Sequence, residues 1–357
     1  MSDLLFPVFD GPCDLASIEA VPLADRGLPG TTYDMLARAA GLWPDRVALS
    51  VLPDASRLEH PVRRTFAQLL ADVHAYANVL HAHGVRRGDA VALLSPNCDE
   101  LVTATLAAEL AGIAAPVNGG LSQETVQELL ARSGARVLVA AGPELAPDIF
   151  VEAAELAATG DLDALLVLRP TGGNGPEPDP LPNVAGVHVA YLATVAQAQP
   201  SDAFLGKLPS AGDVAALFHT GGTTGTPKLA AHTHANEVSD AWMLAVNGQL
   251  HNHPAVLFAA LPLFHVNALV VTLLAPLFNG HHVVWVGPQG YRDPGLYDQF
   301  WKIVEHYRVT LMSAVPTVYA ALAGCRVDAD ISSLRVAFVG ASPLPPAVRE
   351  SFESTTG

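Results

Sequence analysis

Short apolar runs alternate with longer stretches of helical periodicity along most of the chain. Short apolar runs are typical of buried strands, and apolar positions at helical spacing are typical of packed helices. The pattern predicts strands at Val47–Leu52, Asp89–Leu94, Ile113–Val117, Arg136–Ala140, Leu162–Leu168, Val214–Phe218, Val256–Leu261, His282–Val286, Val309–Ser313 and Leu334–Val339. It predicts helices between Thr65 and Gly84, at Asp99–Ala111, between Ser122 and Gly134, at Pro147–Thr159, Thr233–Val246, Val266–Phe278, Leu296–His306 and Pro316–Leu322, and after Pro346. This alternation indicates an α/β fold with largely parallel sheets covered by helices.

A stretch rich in proline, glycine and acidic residues, Pro170 to Asn183, predicts an exposed loop or linker. We place a boundary between two layered α/β subdomains there. Residues 1–183 form the first predicted subdomain and residues 184–357 the second. The second carries the glycine-rich loop described below.

One region raises the possibility of a membrane span. Residues 241–291 contain no Asp, Glu, Lys or Arg, and Ala255 to Phe278 is long enough to cross a bilayer. Prolines, His265 and Asn267 interrupt this stretch, however. We therefore expect a buried strand and helix of an α/β core, with a transmembrane helix as the alternative.

Composition narrows the function classes. The 357 residues are 50% hydrophobic and carry a formal net charge of −16, which favours a large core and disfavours general nucleic-acid binding. Any phosphate site must therefore be local. Cys13, Cys98 and Cys325 are far apart and the N-terminus lacks a basic signal region, which favours a reducing, cytoplasmic location.

A loop of glycines and threonines with one lysine follows the predicted strand Val214–Phe218, and it ends at Lys228. Glycines let a backbone approach a ligand closely, and successive N–H groups can form an anion-binding nest. Threonine hydroxyls and one ammonium group add donors suited to nucleotide phosphates. The loop is not a Walker A motif, because Pro227 precedes the lysine and Leu229 follows it. A polar surface loop between two strands is the alternative.

This loop resembles the signature loop of the adenylate-forming enzymes, which include acyl-CoA synthetases, luciferase and peptide-synthetase adenylation domains. Their usual pattern is Thr-Ser-Gly-Thr-Thr-Gly-x-Pro-Lys-Gly; Gly221 stands where serine is common, and Leu229 where glycine is common. The resemblance implies that phosphates are held by Thr220, Gly221, Gly222, Thr223, Thr224, Gly225, Thr226, Pro227 and Lys228. Segments 78–80, 84–92, 111–112 and 116–118, with Asn97 and Glu100, fit the same family, so the resemblance covers roughly residues 31 to 357.

Two further segments are similar to motifs of that family. Pro262-Leu263-Phe264-His265 resembles a motif that implies a place for His265 beside the acyl group and the nucleotide. The segment after the last predicted strand resembles a motif whose backbone packs against adenine, and it implies cofactor-binding roles for Gly340, Ala341, Ser342 and Pro343. A core histidine and a plain strand-to-helix turn are the alternatives. Lys228, His265 and Thr220 are the predicted catalytic residues.

The histidine pairs at 232 and 234, 251 and 253, and 281 and 282 are candidate metal ligands. No cysteine or carboxylate completes a set at familiar spacing, so we predict no metal site built from the chain itself. No Gly-x-Ser-x-Gly elbow supports serine hydrolysis.

The resemblance implies ATP-dependent ligation of a small carboxylic acid to CoA through acyl-AMP, with ATP and Mg²⁺ as cofactors. A carrier-protein-loading adenylation domain and a non-catalytic nucleotide-binding module are the alternatives. The family's Tyr-Gly-x-Thr-Glu segment, ribose-binding aspartate and mobile lysine domain are expected beyond Gly357. We therefore expect residues 1–357 to be the N-terminal part of a longer enzyme and inactive alone.

Overall fold

The computed structural model describes residues 4–9, 11–170, 180–220, 227–247 and 254–357, and all structural statements concern these residues. The strands are β1 (Val47–Leu52), β2 (Val62–Thr65), β3 (Ala90–Leu94), β4 (Ile113–Pro116), β5 (Val137–Ala141), β6 (Ala164–Leu168), β7 (His188–Tyr191), β8 (Val214–His219), β9 (Leu229–Thr233), β10 (Val256–Ala259), β11 (His282–Val286), β12 (Leu311–Ala314) and β13 (Val336–Val339). The α-helices are α1 (Leu15–Glu19), α2 (Thr32–Leu42), α3 (Phe66–Ala82), α4 (Asp99–Ala111), α5 (Gln123–Ser133), α6 (Pro147–Thr159), α7 (Leu192–Ala196), α8 (His234–Asn247), α9 (Ala275–Phe278), α10 (Pro294–Tyr307), α11 (Pro316–Ala323) and α12 (Pro346–Thr356).

Seven of the described strands form the first sheet, in the order β7-β6-β5-β3-β4-β8-β9. Neighbouring strands are parallel except β8 and β9, which form an antiparallel pair. Both faces are covered: Val91 and Leu93 of β3 join the core beneath α3 and α4, and alternate residues of β3 join the core beneath α5 and α6. Continuous apolar strands of this kind are expected in a parallel sheet buried on both sides.

Six described strands form the second sheet, in the order β13-β12-β10-β11-β1-β2, and only the β1–β2 pair is antiparallel. One hydrophobic cluster joins residues of both sheets, whereas another packs α10 and α11 on the far face of the second sheet. Trp285 belongs to the shared cluster, and Trp301 and Phe258 belong to the far one. The predicted architecture, two layers of largely parallel sheet covered by helices, is confirmed.

The two sheets do not divide at residue 183. β1 and β2 precede that residue and lie in the second sheet, while β8 and β9 follow it and lie in the first. β1 pairs with β11 in parallel register, with Leu49 opposite Val283. The boundary therefore does not separate the sheets, and as a division between folding units it stays a prediction. Residues 171–179 of the predicted linker lie outside the described residues.

Local signals located most elements correctly. Thr65 caps α3 in a reciprocal pair with Gln68, and Gly134 ends α5 at a φ of 69°. The pattern did not predict α1, α2, α7, β2, β7 or β9, which are short or carry mixed polarity.

The most apolar region differs from its prediction in detail. The helix predicted at Val266–Phe278 is a π-helix over Asn267–Leu274 followed by α9. π-turns are rare and often lie at functional sites. Within the described residues, no helix is long and apolar enough to cross a membrane.

Candidate functional site

The β8–β9 hairpin presents both ends of the glycine- and threonine-rich loop. His219 lies opposite Leu229 in the last pair of the ladder, and the Thr220 N–H donates to the Lys228 carbonyl over 2.8 Å. Thr220 and Lys228 are exposed. Arg132 of α5 donates to the Pro227 carbonyl over 2.9 Å, which places a second cation beside the hairpin. Residues 221–226, on which six of the predicted phosphate contacts fall, lie outside the described residues.

The segment between β10 and the π-helix is held by one buried amide. Asn97 donates from Nδ2 to the Leu261 carbonyl over 2.9 Å and accepts the Leu263 N–H over 3.1 Å. His265 closes the turn, because its N–H donates to the Pro262 carbonyl over 3.0 Å. The side chain of His265 is thereby left exposed at the end of the segment.

The segment after β13 turns sharply over the ends of two strands. The Gly340 N–H donates to the Ala314 carbonyl over 3.2 Å, the Ser342 N–H donates back to the Gly340 carbonyl over 2.9 Å, and Ala341 has a φ of 69°. A left-handed φ is uncommon for a residue with a Cβ and marks a tightly specified turn. Ser342 and Pro343 are exposed.

Asn267, the first residue of the π-helix, joins the second segment to the third. Its Oδ1 accepts from the Ser313 hydroxyl at the end of β12 over 3.2 Å. A Cβ added to Gly340 would lie 2.7 Å from Asn267 Nδ2. The missing side chain of Gly340 thus allows the two segments to approach each other.

Aromatic contacts join the hairpin to the second segment. The ring of His219 lies against that of Phe264, with centroids 6.2 Å apart and planes at 24°. The rings of Phe264 and His265 are 4.6 Å apart. All three segments therefore meet at the carboxyl ends of β8, β10, β12 and β13. Among the described residues, no hydrogen bond or ring contact joins Thr220 or Lys228 directly to His265 or Gly340.

At this edge of the two sheets, histidine pKa values are lowered and several side chains carry positive charge. His265 is exposed, but neighbouring groups remove part of the water around its ring, and this desolvation, reinforced by the charge of Arg292, lowers the pKa of His265. Burial together with His265 lowers the pKa of His219. Lys228, Arg132 and Arg292 supply positive charge on a chain whose net charge is −16. An anion is therefore attracted here by a few placed groups.

Four of the residues that build this edge were not singled out for it from the sequence: Arg132, His219, Asn267 and Arg292. Each acquires its role through partners distant in the chain, so no local spacing could have identified it. The sequence indicates Asn97 only as part of the family pattern. In the sequence, His219 is connected with the predicted site through its position immediately before Thr220.

Two of the histidine pairs, at 232 and 234 and at 281 and 282, lie within the described residues. Within the described part of the chain, no group of three or more His, Cys, Asp or Glu side chains could hold a metal ion. His234 is fully buried against Thr32, and His282 contacts the Ser50 hydroxyl over 2.8 Å. The pair at 251 and 253 lies outside the described residues.

Open α/β sheets bind ligands at the carboxyl ends of their strands, and a glycine- and threonine-rich sequence beside cationic side chains is typical of the class of phosphate-binding proteins. Comparison with known proteins agrees with this class. The family model described as AMP-binding enzyme matches residues 36–357, so the chain belongs to that family.

Relatives of this chain include a CoA ligase and a CoA synthase. The chain is 32% identical to marinolic acid–CoA ligase of Pseudoalteromonas sp. (strain SANK 73390) over 96% of its own length and 52% of that protein. It is 33% identical to a feruloyl-CoA synthase of Amycolatopsis sp. over 87% of its own length and 56% of that protein. The chain thus spans about half the length of these curated relatives.

Solved structures agree on the fold. The N-terminal domain of FACL13 from Mycobacterium tuberculosis, bound to an inhibitor, has a TM-score of 0.71 at 25% identity and is matched over 91% of this chain and 73% of that one. The anthranilate CoA ligase AuaEII in complex with anthranoyl-AMP has a TM-score of 0.74 at 23% identity, over 94% of this chain and 60% of that one.

Proposed function

We propose that the chain forms the nucleotide- and acid-binding part of an AMP-forming acid–CoA ligase. One observation carries the proposal: the phosphate-loop hairpin, the Pro262–His265 segment and the Gly340–Pro343 turn converge at one edge of the two sheets, joined by Phe264 and Asn267. Because the chain spans about half of its relatives, we assign the complete activity to a longer enzyme.

The reaction joins a carboxylate to a nucleotide and then to a thiol. A carboxylate oxygen bonds to the α-phosphorus of ATP, the bond from that phosphorus to the bridging oxygen breaks, and pyrophosphate leaves with the electron pair. The thiol of CoA then bonds to the acyl carbon and AMP leaves, while the thiol proton passes to solvent or a base. Orientation and charge stabilisation are the protein's contributions to such chemistry.

Each predicted site residue has a role in this proposal. Thr220, Lys228 and the loop between them hold the β- and γ-phosphates, with Arg132 as a nearby second cation. The backbone turn from Gly340 to Pro343 lies against adenine. His265 stands where the acid meets the nucleotide, and its lowered pKa keeps the imidazole neutral at neutral pH.

The residues at this edge are compatible with a Mg²⁺ ion that is held mainly by the phosphates of the nucleotide. The described residues provide no carboxylate cluster for the ion, and Mg²⁺ usually binds substrate phosphates while it keeps several waters. The exposed Thr220 hydroxyl would join its coordination. When bound, the ion neutralises phosphate charge. Lys228 and Arg132 supply positive charge to the same phosphates.

The test is nucleotide binding by residues 1–357 with and without the ammonium group of Lys228. Lys228→Ala should weaken MgATP binding by about tenfold or more, the range expected for loss of a charge-assisted contact of about 1.5–3 kcal/mol. Lys207→Ala removes another exposed lysine and is the matched control. Isothermal titration calorimetry and melting temperature are measured together. Equal affinity of Lys228→Ala and Lys207→Ala for MgATP, at unchanged melting temperature, would contradict the phosphate role.

A further inference from the structure

His219 occupies a position at the site that the proposed roles leave unused. It is the last residue of β8 and directly precedes the phosphate loop. Its ring is half-buried and lies against Phe264, on the side of the site that carries His265. The imidazole therefore stands between the hairpin and the segment proposed to meet the acid.

One hydrogen bond fixes which ring nitrogen carries the proton. The backbone N–H of Asn118, just after β4, donates to Nε2 of His219 over 3.2 Å. Nε2 must therefore be the unprotonated acceptor, and in the neutral ring the proton resides on Nδ1. Within the described part of the chain, Nδ1 has no hydrogen-bond partner. The Nδ1–H group of His219 is thus available to donate a hydrogen bond to a ligand at the edge of the site.

The chemistry of a neutral donor suits a carboxylate nucleophile. An imidazolium beside the carboxylate would hold its negative charge and reduce its reactivity toward phosphorus. A neutral N–H orients one oxygen and leaves the other free to attack. Burial and the neighbouring His265 lower the pKa of His219, which keeps this donor neutral. The phosphates, in contrast, already have the loop, Lys228 and Arg132 as partners in the proposal above.

We propose that His219 is a substrate-positioning residue whose Nδ1–H donates to the non-attacking carboxylate oxygen of the acid, which becomes the acyl carbonyl oxygen of the adenylate. This inference rests on the proposed function. It adds a residue that holds the acyl group, and it assigns no proton transfer to His219.

The test compares a ligand that has the acyl carbonyl with one that lacks it. The probes are N-octanoyl- and N-benzoyl-sulfamoyladenosine, acyl sulfamates that mimic acyl-AMP, and AMP itself. His219→Phe keeps a ring of similar size against Phe264 and removes the donor. His219→Asn places an amide N–H near the position of Nδ1. His306→Phe, at an exposed position of α10, is the matched control.

His219→Phe should bind both acyl-adenylate mimics about tenfold more weakly, within the range of a hydrogen bond to a partly charged group, and AMP within about twofold of wild type. His219→Asn should recover part of the lost affinity. If the His219 ring had only a structural role, no such recovery would be expected. An equal loss for AMP and the mimics, or no loss at all, would overturn the positioning role. A wild-type chain that binds neither AMP nor the mimics would instead contradict the proposed function on which the inference rests.

Discussion

At the scale of single residues, the absence of one side chain decides how closely two parts of the site approach. Gly340 stands at the end of β13, and a Cβ there would lie 2.7 Å from Asn267 Nδ2. Asn267 in turn accepts the hydrogen bond from Ser313. The contact is with the end of a movable side chain, so the asparagine can rotate away without disturbing the core. A substitution should therefore affect the site more than the fold.

We expect Gly340→Ala to displace the Asn267 amide and break its bond to Ser313. Loss of one such bond is worth about 1 kcal/mol, or roughly fivefold in affinity for AMP. The melting temperature should change little. Gly324→Ala is the control, since a Cβ there would meet only the Ala321 carbonyl, at 3.4 Å. Calorimetric titration with AMP measures the effect, and identical affinities for the two variants would contradict the steric link.

At the scale of elements, a buried polar cluster joins three helices behind the hairpin. The Thr32 hydroxyl, at the start of α2, lies 2.8 Å from Glu109 Oε2 on α4 and 3.0 Å from Nδ1 of His234 on α8. Glu237, also on α8, is 1% exposed, and its Oε1 lies 3.4 Å from Nδ1 of His232. Burial raises the pKa of Glu237 to about 8, and burial together with Glu237 raises the pKa of Glu109. Two carboxyl groups therefore share a site that disfavours charge on both.

The pKa of Glu237 predicts how stability depends on pH. A carboxyl group whose pKa is higher in the folded state stabilises the fold below its unfolded pKa, and that stability is lost as pH rises toward the folded value of about 8. One such group changes the free energy of unfolding by up to about 1.4 kcal/mol per pH unit. The lowered pKa of His234, about 4, acts mainly below the ordinary histidine range. Burial also raises the pKa values of Glu100 and Glu109, so between pH 6.5 and 8 these two carboxyl groups contribute to the pH dependence together with Glu237.

Denaturant titration between pH 6.5 and 8 should show the wild-type free energy of unfolding falling as pH rises. Glu237→Gln removes the ionisable group and keeps a similar shape, and it should flatten this decline. Glu350→Gln, at an exposed position of α12, is the control and should keep the wild-type slope. If the free energy of unfolding falls equally with pH in wild type and Glu237→Gln, the raised pKa of Glu237 is contradicted.

At the scale of the whole molecule, the site is assembled from both sheets. The hairpin belongs to the first sheet, whereas the Pro262–His265 segment and the Gly340–Pro343 turn follow strands of the second. A hydrophobic cluster with residues from both sheets fixes the position of these edges relative to each other. Binding therefore depends on the packing of the two sheets against each other. The chain spans about half the length of these curated relatives, and we expect their remaining residues to contribute to catalysis.

We expect residues 1–357 alone to bind nucleotide and yet release no pyrophosphate from ATP, Mg²⁺ and a carboxylic acid. Groups that act as one catalytic unit contribute non-additively, so removal of several leaves little beyond binding. A coupled pyrophosphate assay with a panel of fatty and aromatic acids measures turnover, and Lys228→Ala provides the background. Steady release by the wild-type chain above that background would show that the site described here suffices for adenylation.

The sequence by itself determined the class of fold, and it is the source of the hypothesis that the loop ending at Lys228 binds phosphates. Strand and helix periodicities are local, because each reports which face of a short segment is buried, and they located β3, β5, α3 and α5 correctly. The chemistry of the loop is also local, since its glycines, threonines and lysine are contiguous.

Only the tertiary structure decided which strands share a sheet and which segments meet. The pairing of β1 with β11, the tie from Asn97 to Leu261, the contact of His219 with Phe264 and the approach of Gly340 to Asn267 all join residues far apart in the chain. Such contacts are set by how helices pack between two sheets, and a period of two or 3.6 residues carries no information about a partner in another element. The sequence therefore identified the elements and the loop, whereas the packing of the two sheets created the site around them.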